Sequence, residues 1–173
     1  MTTPARIVLV GPMGSGKSTL MELLSAQLGW TGLDTDAIVA EREGCSVAEV
    51  FARDGEPMFR SLELSALEAA LASPGSAVIA TGGGIVETPA ARTLLASEPL
   101  VVLLDARPDV CLERIGDPSG RPLLATDPMA ALVHLDDRRR PLWAAVADLV
   151  VDVEHRSPQD AAEEIVAHLE GAS

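Results

Sequence analysis

The segment Arg6–Val10 followed by Gly11-Pro-Met-Gly-Ser-Gly-Lys17-Ser18 constrains this chain more than any other stretch of it. A short run of β-branched residues feeds a glycine-rich loop, and apolar Leu20, Leu23, Leu24 and Leu28 follow at helical spacing. That order is strand, loop, helix, and the loop matches G-x-x-x-x-G-K-[ST]. By average residue usage, a chance match in a chain this long has a probability on the order of 1 in 100. Small residues let backbone N–H groups of Gly14, Ser15 and Gly16 turn inward toward an anion. The helix starting near Ser18 and Thr19 adds its N-terminal dipole. Lys17 would reach the β- and γ-phosphates of a nucleotide, and Ser18 would ligate Mg²⁺.

The same alternation of strand and helix continues. Strands are predicted at Thr31–Leu33, Ala77–Thr81, Leu100–Leu104 and Leu149–Val153. Helices are predicted at Asp36–Glu43, Ser46–Arg53, Met58–Ala72, Pro89–Ala96, Pro108–Ile115 and Ser157–Leu169. Asp127–Ala147 reads as helical but interrupted by Pro141, and Gly116–Pro122 as a loop. The expected fold is therefore one α/β domain over residues 1–173, a three-layer α/β/α sandwich around a five-stranded parallel sheet. In such sheets ligands bind beyond the carboxyl ends of the strands. The glycine loop, Asp34–Asp36 and Gly82–Gly84 each follow a strand, so they should line one edge.

Composition removes several functions. A formal net charge of −13 argues against a nucleic-acid binder or a basic membrane-surface helix. Cys45 and Cys111 are too few and too far apart for a disulfide framework. No apolar run approaches the ~18 residues of a membrane span. Gly11 and Pro12 come too early for a secretory signal, so a cytoplasmic protein is expected. Asn is absent, which removes the Asn-Lys-x-Asp guanine reader of a GTP switch, and Lys17 is the single lysine.

The remaining chemistry lies in separated motifs. Asp34 and Asp36 flank Thr35; on an extended segment both would share a face, one serving a metal shell and the other a substrate hydroxyl. The same spacing suits a helix N-cap at Asp36. Gly82-Gly83-Gly84 suits close approach of a ligand, or a tight turn. Arg60 and Glu63 share a helix face. Arg138, Arg139 and Arg140 form a local cationic patch, suited to bidentate anion binding or to a solvated helix end. Arg121 stands in the Gly/Pro-rich loop, where a lid arginine could close on transferring phosphate. Asp105 ends the most apolar strand, as does the metal-binding Asp of many ATPases, but no Glu follows. It could equally cap the next helix, and Asp34 ranks ahead of it as a metal ligand.

This ordered set resembles the shikimate kinase family, small kinases with the P-loop NTPase fold. The motifs are Gly11–Thr19, Asp34-Thr35-Asp36, Phe59-Arg60-x-x-Glu63, Gly82–Gly84, Arg121-Pro-Leu-Leu and Arg139-x-Pro141-Leu142. The resemblance implies ATP-dependent phosphorylation of the shikimate 3-hydroxyl. It implies that Lys17 holds phosphates, that Ser18 and Asp34 hold Mg²⁺, and that Asp36 binds the diol and is the base. Arg60 and Arg139 would grip the substrate carboxylate, with Glu63 holding Arg60 and Gly82, Gly83 and Gly84 forming the wall. Phe51 and Phe59 would lean on the ring, Arg121 would be the lid arginine, and Arg114, Arg156 and Pro158 would flank adenine. Residues 34–63 would form the substrate-binding part and about 112–126 the lid of a monomer. Family members usually carry Tyr where Trp143 stands, a ring expected to serve packing. A gluconate kinase would not need two arginines, Asp-x-Asp and a triple glycine together. A non-catalytic nucleotide-binding regulator would need neither Asp36 nor Arg121.

Overall fold

A computed structural model describes residues 6–171. Five strands, β1 (Arg6–Val10), β2 (Thr31–Asp34), β3 (Ala77–Ala80), β4 (Val101–Asp105) and β5 (Leu149–Asp152), form one parallel sheet in the order β2-β3-β1-β4-β5. Seven helices connect and cover it: α1 (Lys17–Leu28), α2 (Thr35–Glu43), α3 (Val47–Leu71), α4 (Pro89–Leu95), α5 (Pro108–Ile115), α6 (Pro128–Val146) and α7 (Pro158–Gly171). The three-layer expectation holds, and the alternation of β1 shows why. Ile7 and Leu9 pack into the apolar layer under α1 and α7, while Val8 and Val10 pack into the layer under α3, α4 and α6. A strand covered on both faces can carry an unbroken apolar run. Because β1 lies between β3 and β4, the strand order reverses beside it, and the crevice at its carboxyl end is where the glycine loop emerges.

Two local expectations need correction, at Pro141 and at the start of α2. The two helices expected at Ser46–Arg53 and Met58–Ala72 are present as the two arms of α3, separated by non-helical backbone at Gly55, where φ is 80° and ψ 172°. Ser46 starts it with a capping box, its hydroxyl accepting from the Glu49 N–H while Glu49 accepts from the Ser46 N–H. Pro141 does not interrupt α6, which runs unbroken to Val146. Pro141 removes one backbone donor, but buried Arg139 and Trp143 anchor the helix on either side of it. Finally, α2 starts at Thr35, so Asp34 rather than Asp36 is its N-cap.

Candidate active site

Two cavities flank the glycine loop. The first, about 380 Å³, is lined by Gly14, Ser15, Gly16 and Thr19 on one side and by Arg114, Arg156 and Pro158 on the other. These residues come from the glycine loop and the first turn of α1 and from the region around α5 and α7, so the topology unites what the sequence separates by 95 positions or more. Gly11 shows why the loop needs its first glycine: its φ is 140°, and a Cβ would stand 2.6 Å from the Leu104 carbonyl oxygen of β4. Lys17 is 9% exposed and folds back over its own loop, donating to the carbonyls of Gly11 at 2.9 Å and Pro12 at 2.8 Å. Burial lowers its pKa to about 8, against the raising influence of Asp36 and Asp34. The Arg114 guanidinium donates to the Val153 carbonyl, and Arg156 pairs with Glu164.

Ser18 donates to Asp34 Oδ2 at 2.6 Å. The other oxygen of Asp34 accepts from the N–H groups of Asp36, at 2.9 Å, and Ala37, at 3.3 Å, and so caps α2. Asp34 and Asp36 thus do not share one face of an extended strand; the helix begins between them and turns the Asp36 side chain into the second cavity. A hydroxyl and a carboxylate oxygen side by side, next to the loop, are the hard donors that suit Mg²⁺. Asp105 does not cap α5, whose N-cap is Arg107; it accepts from Arg140 Nη1 at 2.5 Å.

The second cavity, about 490 Å³, gathers Asp36, Phe51, Phe59, Arg60, Glu63, Gly82–Gly84, Arg121 and Arg139, all anticipated from the sequence. Arg60 Nη1 donates to Glu63 Oε2 at 2.8 Å, and Glu63 is 1% exposed. Burial raises the Glu63 pKa, opposed by Arg60. A Cβ on Gly82 would overlap Glu63 Oε1 and stand 3.0 Å from Asp36 Oδ1, while one on Gly84 would overlap the Arg60 guanidinium. The triple glycine is therefore a wall thinned to admit charged side chains. Asp36 Oδ1 is buried without a hydrogen-bond partner, and burial followed by Asp34 raises its pKa against Lys17, Arg60 and Arg121. Phe51 and Phe59, with ring centroids 5.6 Å apart, edge the cavity from the two halves of kinked α3. Arg121 is exposed at the rim, close enough for its charge to act on both Lys17 and Asp36.

Sequence reasoning missed lining residues such as Met13, Ser46 and Val47, and two contacts that back the cavity from behind its lining. Glu87, in the turn after the triple glycine, accepts from Arg139 Nε at 3.1 Å and Nη2 at 2.9 Å, from Arg60 Nη2 at 3.5 Å, and from Arg138. Trp143 packs in the core as expected, but its Nε1–H also donates to the Gly83 carbonyl at 3.2 Å, tying α6 to the glycine wall. The three consecutive arginines divide accordingly: Arg138 and Arg139 face Glu87, while Arg140 pairs with Asp105 and Asp136.

Comparison with known proteins agrees with this geometry. A family model described as shikimate kinase matches residues 13–170. A shikimate kinase of Synechococcus sp. (strain RCC307) is 44% identical over 167 residues, covering 95% of this chain and 84% of that one. A shikimate kinase of Salinispora arenicola is 44% identical over 162 residues, covering 94% of this chain and 96% of its own length. The solved shikimate kinase from Acinetobacter baumannii in complex with shikimate superposes with a TM-score of 0.93 at 31% identity, covering 99% of this chain and 96% of that one. With the family model matching residues 13–170 and relatives 44% identical over more than nine-tenths of its length, this chain belongs to the shikimate kinase family.

Proposed function

We propose that the protein transfers the γ-phosphoryl group of ATP to the 3-hydroxyl of shikimate, a step toward chorismate and the aromatic amino acids. The observation that carries this reading is one cavity beside the phosphate loop. In it, Asp36 presents an unpartnered buried oxygen, and Arg60 and Arg139 converge on a common point. A small hydroxy acid needs that combination: cations for its carboxylate and a carboxylate for its hydroxyls.

In this reading the amides of Gly14, Ser15 and Gly16, with Lys17, cradle the phosphates. Thr19, Arg114, Arg156 and Pro158 line the nucleoside end. Ser18 and Asp34 hold Mg²⁺, which when bound neutralises charge on the phosphates. Arg60 and Arg139 orient the substrate carboxylate, Glu63 fixes Arg60, and Gly82–Gly84, Phe51 and Phe59 bound the ring. Asp36 accepts a hydrogen bond from the reacting hydroxyl, orients it toward the phosphate and takes its proton. Arg121, on a lid spanning about residues 112–126, closes over the transferring group and shields it from water. Residues 34–63 form the substrate-binding part of a single domain. The working unit in this reading is a monomer. No helix among the described residues is long and apolar enough to cross a membrane. The reading places the enzyme in the cytoplasm, with ATP and shikimate as its partners.

The test is an assay of ADP release with a panel of hydroxy acids, with and without Mg²⁺. Mg²⁺-dependent turnover with shikimate is expected. Turnover with gluconate and none with shikimate would overturn the assignment.

A further inference from the structure

Glu87 stands where a site for an acid substrate has no evident use for a negative charge. Its backbone is fixed: the Glu87 N–H donates to the Gly84 carbonyl at 3.0 Å, and Arg92 Nη1 holds the neighbouring Val86 carbonyl at 2.6 Å. From that turn a single oxygen, Oε2, meets Arg139 through both Nε and Nη2 and Arg60 through Nη2. A carboxylate gripped through Arg139 Nε and Nη2 and Arg60 Nη2 would compete with Glu87 for those donors. The rest of Arg60 is already engaged, with Nη1 on Glu63 at 2.8 Å and Nη2 also on Glu56 at 3.1 Å.

We propose that Glu87 is an internal competitor for the acid substrate, its carboxylate filling the slot between Arg60 and Arg139 that the substrate carboxylate must enter, and thereby setting the affinity of the site. The inference rests on the assignment of those two arginines to the carboxylate of shikimate. Charge balance supports it. Arg60, Arg138 and Arg139 are matched by Glu56, Glu63 and Glu87, so the cluster is neutral before any acid arrives and becomes negative once it binds. The Glu87 carboxyl is ionised: burial would raise its pKa, but Arg139 and Arg138 hold it below the ordinary glutamate value. Displacement has a route, because Glu87 Oε1 already contacts Arg138, whose side chain is 49% exposed. When the substrate takes Arg139, Glu87 retains Arg138 as its partner.

The test is Glu87→Gln, which keeps the shape and removes the charge. The KM for shikimate should fall roughly threefold or more, as expected for removing a like charge from a partly buried anion site, and the change should lie in KM rather than kcat. The uncharged methyl ester of shikimate, measured as a competing ligand, should gain nothing from the substitution. Glu87→Ser, which admits water to the slot, carries the same expectation should the glutamine variant fold poorly. If wild-type protein turns over shikimate but the KM of the variants is unchanged or raised, Glu87 serves to position the arginines and the inference is overturned. An equal gain for acid and ester would overturn it as well. Failure of the wild-type protein to use shikimate at all would instead overturn the functional reading, and this inference with it.

Discussion

The two cavities beside the phosphate loop are built by opposite means. The nucleotide side is a backbone device: consecutive residues from Gly11 to Ser18, shaped by glycine conformations, present main-chain groups, and Lys17 rests on carbonyls of the same loop. The acid side is a side-chain device. Its charges come from α2, α3, α6 and the turn after β3, and its arginines are held by carboxylates of α3 and of that turn. A backbone device can be moved whole into many proteins, since its geometry is local. A side-chain device is tied to one fold, since removing any member leaves its partner buried and unmatched. General phosphate chemistry thus sits on the transferable half and substrate choice on the half that is not.

Substitutions can set the two halves against each other. The largest effect is expected from Lys17→Ala, which should abolish phosphoryl transfer while leaving the fold intact, because Lys17 neutralises phosphate charge. Shikimate affinity measured by calorimetry should hardly change, because Lys17 belongs to the backbone-built half. Normal ATP turnover in that variant would remove the assignment of the loop. Next come the two aspartates at the seam. Asp36→Asn should lower kcat by ~10²–10⁴, the range for losing a general base, weaken shikimate binding, and resist added Mg²⁺. Asp34→Asn should raise the Mg²⁺ requirement and recover partly at high Mg²⁺. A Mg²⁺ titration of both variants decides between these roles, and rescue of Asp36→Asn alone would reverse them. The smallest effect is expected from Arg60→Ala or Arg139→Ala, which should weaken shikimate binding by roughly 2–5 kcal/mol, as for truncating one partner of a buried charge pair. ATP affinity should stay close to wild type. Intact shikimate affinity in both arginine variants would place the carboxylate subsite elsewhere.

The same contrast explains how much of the molecule is legible in its amino-acid sequence. The loop, the strands and the three-layer architecture are legible because short-range pattern determines them: β1 is apolar on both faces, and Gly11–Ser18 carries its own geometry. Arg60 with Glu63 is legible because three residues along a helix is a local relation. The start of α2 is not, because Asp34 and Asp36 are equally good capping residues, and the choice is made by Ser18, which meets Asp34 from another element. Pro141 suggests a break that tertiary anchoring of α6 overrides. Glu87 carries no signal at all: its partner Arg139 lies 52 residues away, and no spacing rule joins a turn to a distant helix. The family resemblance supplies roles for most of the cavity residues, but not for Glu87, the acid that meets both Arg60 and Arg139.

Asp34 has a consequence for how such a site can vary. One of its oxygens starts the helix that carries Asp36, and the other meets the Ser18 hydroxyl. Foldability and chemistry therefore bear on a single side chain. An alanine there would unfasten the helix end and the proposed metal side in one step, so its loss of activity could not be apportioned between them. Asparagine caps a helix as well as aspartate does, which leaves the charge as the difference. Drift at this position is consequently narrow: the residues that still start α2 are few, and of the good caps only aspartate brings the anion.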